Sequence, residues 1–140
     1  MLPPKIRCSP FTTYGTLLPF KLPFPEMMTF ELSRKNIFEL EMSGVVRYTH
    51  YSLMIFGSNR LPLVDFFRSQ AKESLSHADL VGEHITGLGG HPPINAISIK
   101  ESNKHDIYEI LKETLDHEKK AISTYYKFCL LYTSPSPRDS

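Results

Sequence analysis

Two octets of this chain carry one pattern. Glu41-Met-Ser-Gly44-Val45-Val-Arg-Tyr48 and Glu118-Lys-Lys-Ala121-Ile122-Ser-Thr-Tyr125 both read Glu-x-x-small-β-branched-x-x-Tyr. On a helix, positions three, four and seven apart share a face, so these four residues form one stripe. The rest of each stripe is apolar and should face a core, yet each copy sets a carboxylate on it. A buried carboxylate is costly unless it is paired or binds a metal. Two such acids with matching neighbours point to a site built between helices.

Proline placement says where helices are allowed. Six prolines, from Pro3 to Pro25, fall in the first 25 residues, and Pro135 and Pro137 lie near the end. Proline interrupts a helix interior, so neither end is expected to be a continuous helix. Between about 29 and 128 only Pro62, Pro92 and Pro93 occur, each at a plausible helix boundary. The apolar period there predicts helices over about 33–57, 62–89 and 104–128, with Ser33 as a first N-cap. Gly57-Ser-Asn reads as a turn, and Gly89-Gly90-His91-Pro92-Pro93 as a helix stop. The first connection is short, so the first two helices should form an antiparallel hairpin. The second, from about 91 to 103, can stretch over about 45 Å. A helix of some 26 residues is only about 39 Å long, so this segment can return along the whole bundle.

Size and charge narrow the function. The chain has 140 residues and a formal net charge of +1. That allows one modest domain and gives no electrostatic case for nucleic acid or an anionic membrane. No apolar run is long enough to span a bilayer, and prolines spoil a signal peptide at the N-terminus. Cys8 and Cys129 form no Cys-x-x-Cys metal knot. A cytoplasmic protein is the default expectation.

Each candidate has a plain reading beside the functional one. A lone Glu on a helical stripe commonly sits at its edge with the carboxylate in water. A lone His such as His77 is commonly a hydrogen-bonded, partly buried residue. Tyr48 and Tyr125 read first as core aromatics whose hydroxyls find a partner, and second as hydrogen-bonding support for a ligating carboxylate. Against these stands a shared chemistry. Carboxylate and imidazole oxygen and nitrogen donors suit iron, and Glu73, His77, Glu41 and Glu118 are the candidate metal ligands. Glu73 lies four residues before His77, so both can face one way. His50, His84, His91, His105 and His117 belong to no such pattern, and His117, adjoining Glu118, is expected to point elsewhere.

One segment extends this reading. His77-Ala78-Asp79-Leu-Val-Gly-Glu83-His-Ile85-Thr-Gly-Leu88-Gly-Gly90-His-Pro92 resembles the second helix of bacterioferritin-type ferritin-like domains, with its His-Ala-Asp run and Leu-x-Gly-x-Pro exit. The octets at Glu41 and Glu118 look like the family's first and third ligand helices, and the resemblance covers about 29–128. It implies an all-α, ferritin-like four-helix bundle, here with only three helices and a long crossover between the second and third. It also implies a di-iron centre that oxidises Fe(II) with dioxygen or peroxide, for iron storage or detoxification, within a homo-oligomer. Glu41 would correspond to the first-helix ligand, His77 to the second-helix imidazole and Glu118 to the third-helix carboxylate, with Tyr48 beside the centre.

Three departures qualify the resemblance. The family's bridging Glu falls three residues before the His, where this chain has Ser74, so Glu73 is displaced by one. The position of the bacterioferritin haem Met is Leu75, so no haem is expected there. A fourth helix with its Glu-x-x-His is missing. The run from Cys129 to Asp139 instead resembles the translation of a transposon-type adapter used to prepare sequencing libraries, and residues 1–28 are unlike the family. On this reading the polypeptide by itself is expected to be inactive, with an apolar face uncovered. The alternatives are a metal-free ferritin-like scaffold acting by assembly or partner binding, and peroxide reduction of the rubrerythrin kind. The last is disfavoured because no Cys-x-x-Cys pairs exist.

Overall fold

The computed structural model describes residues 24–94, 99–103 and 105–133, and in these it is all-helical. The helices are α1 (Phe24–Met54), α2 (Arg60–Gly87) and α3 (Ile107–Thr133). The three expected helices are present with shifted boundaries, most of all at the start of α1 and the end of α3. α1 begins well before residue 33, because Pro25 lies in its first turn, where the missing N–H costs nothing. Ser33 is therefore no cap; its hydroxyl donates back to the Thr29 carbonyl at 2.8 Å. α3 runs five residues past Phe128, into the stretch expected to break it. No proline stands there to stop it before Pro135. What was expected of residues 1–23 and 134–140 lies outside the described residues.

The connections explain the topology. Gly57 takes φ +105°, a conformation that glycine adopts without strain, and the Arg60 N–H bonds back to its carbonyl. α2 ends with the Gly90 N–H on the Ile85 carbonyl and the Gly89 N–H on the Thr86 carbonyl, both 2.9 Å. This is a Schellman ending, with Gly89 at φ +80°. Asp106 starts α3: its carboxylate accepts the Tyr108 N–H at 3.0 Å and its carbonyl accepts that of Ile110.

Two apolar clusters hold the helices together. Tyr48, Tyr51 and Ile55 of α1 meet Phe67 of α2 and Ile110 of α3. At the other end, Ile37 of α1 meets Val81 and Ile85 of α2 and Phe128 of α3. Residue numbers rise from the second cluster to the first along α1, and the opposite way along α2 and α3. Hence α1 is antiparallel to both, while α2 and α3 run the same way, as the long crossover requires. Between the clusters lies a polar waist. Glu41, Gly44, Ser74 and Glu118 are all buried there.

α3 packs less deeply than its sequence suggests. Leu111, Leu115 and Ile122 are 41%, 50% and 39% exposed, and Leu130 is 51% exposed. Ile110, Thr114, Glu118, Ala121 and Phe128 face inward. None of the three helices is long and apolar enough to cross a membrane, among the described residues.

Phe67 anchors the first cluster. It is fully buried, with its ring centroid 6.2 Å from that of Tyr48 and 5.7 Å from that of Tyr51. Phe67→Ala is expected to cost about 3–5 kcal/mol, read from urea denaturation monitored by circular dichroism. The exposed neighbour Phe66→Ala should cost under about 1 kcal/mol.

Candidate functional site

The two octets pair with each other. Tyr48 of α1 donates its hydroxyl to Oε1 of Glu118 on α3. Tyr125 of α3 donates to Oε1 of Glu41 on α1 at 2.6 Å. Each octet thus gives a carboxylate and receives a hydroxyl, in a crossed arrangement. The geometry follows from spacing: seven residues are two turns, so Glu and Tyr of one helix lie on one line. Antiparallel packing then sets each Glu opposite the other helix's Tyr. Glu41 is 3% and Glu118 6% exposed, so both octets bury their acids. Of the supporting positions, the small residues Gly44 and Ala121 face inward, while Val45 is half-buried and Ile122 exposed.

The carboxylates set the electrostatics. Burial first, and then the Glu118 carboxylate that accepts its hydrogen bond, hold the Tyr48 pKa far above the usual tyrosine value. Burial and the charge of Glu41 do the same for Tyr125. Both tyrosines feel both acids, so the four groups form one electrostatic unit. One turn away, Tyr51 donates to Oε2 of Glu113 at 2.6 Å. Burial and this bond push its pKa up to about 12.

α2 contributes His77. Its Nδ1 lies 3.5 Å from Oε1 of Glu41. Glu41, His77, Glu118, Tyr48 and Tyr125 are therefore brought together from three helices. Glu73 is not. It is exposed and accepts a hydrogen bond from Gln70 Nε2 at 3.3 Å, while Ser74 takes the buried position. The reason is the 100° step between adjacent helical residues: with Ala78 and Phe67 facing inward, position 74 joins them and position 73 turns out. Leu75 is also 44% exposed, away from the waist.

One residue near the waist was missed. His117 does not point away. Its ring lies edge-on to Tyr48, with centroids 5.8 Å apart. A Cβ added to Gly44 would stand 3.3 Å from His117 Nε2 and 2.8 Å from Ser74 Oγ. The imidazole pKa is lowered, by burial and then by the Arg47 charge, against the pull of Glu118 and Glu41. Adjacency to Glu118 hid this role, since neighbours on one helix usually face different partners. The only sequence signal was Gly44, the smallest residue of the stripe.

The donors fit a hard or borderline cation in kind. Two carboxylates and an imidazole lie in a buried waist, and hydroxyl bonds of about 1.5–3 kcal/mol each offset only part of the several kcal/mol that burying an ion costs. Their present partners are protein groups. Among the described residues no three of His, Cys, Asp and Glu stand grouped as a metal would require.

Comparison with known proteins bears on this geometry. Residues 35–131 match the family model for the ferritin-like domain. A solved structure of a ferritin-like, diiron-carboxylate protein from Bacillus anthracis str. Ames is similar in fold, with a TM-score of 0.69 and 25% identity. The match covers 74% of this chain and 73% of that one. No curated protein matches the sequence.

Two outcomes follow from the waist. Gly44→Ala should destabilise by about 1–3 kcal/mol through crowding, although Ala is the better helix former by about 1 kcal/mol. Chemical denaturation of the two proteins checks the sign. The raised tyrosine pKa values mean that the folded state favours the neutral phenols. Their contribution is complete below about pH 10 and is lost as pH rises through the folded values. The urea midpoint should therefore fall above about pH 10, and fall less steeply in Tyr48→Phe, once lysine titration is matched between the two proteins.

Proposed function

The chain belongs to the ferritin-like domain family, and on that premise we propose that it is a bacterioferritin-like di-iron protein that oxidises Fe(II). The activity would serve iron storage or detoxification, in the intact protein and within a homo-oligomer. The observation that carries this reading is the pair of buried carboxylates from different helices, Glu41 and Glu118, with His77 beside the first.

Glu41 and His77, already in contact, and Glu118 are the residues that would have to be drawn together to hold the metal, since among the described residues they are not grouped as a metal requires. Glu73, which stands in water, is left out of that set. Iron, if bound there, would supply the redox chemistry, with dioxygen or peroxide as the electron acceptor. The protein's own part is to orient and to exclude water. The apolar clusters on either side of the waist keep bulk solvent from the carboxylates, which strengthens their pull on a cation. Tyr48 and Tyr125 keep their protons, because burial and the neighbouring acids raise their pKa values. They therefore remain hydroxyl donors that fix one oxygen of each carboxylate.

The test is anaerobic Fe(II) loading of the purified protein followed by exposure to air. The expected result is bound iron and oxidation faster than in protein-free buffer, with a loss of at least tenfold in Glu118→Ala, the range typical of removing a positioned group. No bound iron, together with an unchanged oxidation rate in the variant, defeats the proposal.

A second reading has one observation in its favour. Ser74 faces the waist at the position that the resemblance gives to a bridging carboxylate, so α2 brings no acid there. A metal-free scaffold acting through assembly would need none. Metal analysis of the protein as purified and after incubation with Fe(II) separates the two readings: iron-free protein in both cases supports the scaffold.

A further inference from the structure

α3 has two apolar faces, and the bundle uses one of them. Ile110, Thr114, Ala121 and Phe128 turn inward and are buried. Tyr108, Leu111, Leu115, Ile122, Tyr126 and Leu130 are exposed. At 100° per residue these six fall within about 100° of arc, so they form one stripe about 33 Å long. A contiguous apolar strip of this kind, rimmed by polar residues, marks an interaction surface.

The charges beside the stripe decide what fits it. The flank away from Thr114 and Ala121 carries Glu109, Lys112, Asp116, Lys119 and Lys127 in that order. Its acids lie in the first half and, Lys112 apart, its bases in the second. A second α3 laid parallel would set Asp116 against Asp116 and Lys119 against Lys119. Laid antiparallel, with a two-fold axis at the level between Glu118 and Lys119, it sets Leu115 against Ile122 and Leu111 against Tyr126. The same register brings Asp116 beside Lys119 and Lys120 of the second copy, and Glu109 beside its Lys127. Lys112 then faces the uncharged Ser123–Tyr125 stretch. The two Lys119 side chains approach each other at the axis, and each has the other copy's Asp116 within reach. The face is therefore complementary to itself, as a two-fold interface requires.

We propose that the exposed stripe of α3 is a self-association surface, on which α3 of a second copy of this chain packs antiparallel. Leu115 and Ile122 are its apolar centre, and Asp116 with Lys119 and Lys120 sets the direction. This gives the homo-oligomer proposed above a specific interface and does not draw on the metal reading. The iron test reads bound metal and this one reads assembly, so either can fail alone.

The experiment is sedimentation equilibrium of the full chain over a range of concentrations. The expected result is a monomer–dimer equilibrium. Leu115→Asp should weaken the dimer at least about tenfold with the circular dichroism spectrum retained, because it sets a charge at the centre of the interface. Leu53→Asp, at an exposed position on α1, should leave the dimer unchanged. Asp116→Lys should weaken it about tenfold by placing like charges across the interface, and adding Lys119→Asp and Lys120→Asp should restore it. A monomer at every concentration overturns the proposal. So does a dimer indifferent to Leu115→Asp, or open-ended association without a dimer endpoint. A dimer that responds to Leu115→Asp but not to the charge exchange overturns the antiparallel packing. If Leu115→Asp fails to fold, the charge exchange, which touches only exposed side chains, decides the matter.

Discussion

The crossed hydrogen bonds between Tyr48 and Glu118 and between Tyr125 and Glu41 are the constraint on which the rest of this fold depends. They fix the direction, register and rotation of α3 against α1 at once. Parallel packing would set Glu against Glu and Tyr against Tyr. A slip of one residue would turn each side chain by about 100° and leave two buried carboxylates without their donors. An unpaired buried charge costs several kcal/mol, so these alternatives are strongly disfavoured even though α3 meets α1 over a limited surface.

The apolar clusters and the polar waist depend on each other. Phe67, Tyr48 and Ile110 at one end, and Ile37, Val81 and Phe128 at the other, exclude water from the space between them. That exclusion makes the carboxylates expensive, and it makes any cation held there tightly bound. Small residues complete the arrangement. Gly44 lets Ser74 and His117 approach α1, and Gly82 takes the Phe38 ring at 3.2 Å from where its Cβ would stand. The bundle therefore has apolar packing at both ends and polar side chains at its centre, where bundles build their ligand sites.

Much of this was readable from residues alone. Period and punctuation located three helices, because glycine and proline act locally. Gly57, Gly89 and Gly90 end elements through their own backbone preferences. The duplicated octets marked Glu41, Tyr48, Glu118 and Tyr125, since seven-residue spacing is a property of any helix. His77 and Glu41 were expected together and are neighbours. Helix ends were less legible: α1 starts early and α3 runs late, because proline near a helix start and a run of ordinary residues near its end do not specify the last turn.

What the sequence by itself determined is the helical content, the order of elements and the presence of two acids on buried stripes, all of which follow from local spacing. Only the tertiary structure decided which neighbour faces inward. It turned Glu73 to water and Ser74 to the waist, brought His117 over Gly44, and left Leu111 and Leu115 exposed on α3. The physical reason is rotation about the helix axis. A stripe of several apolar residues fixes that rotation only to within one position, and at about 100° per residue one position is the difference between a buried and a solvated side chain.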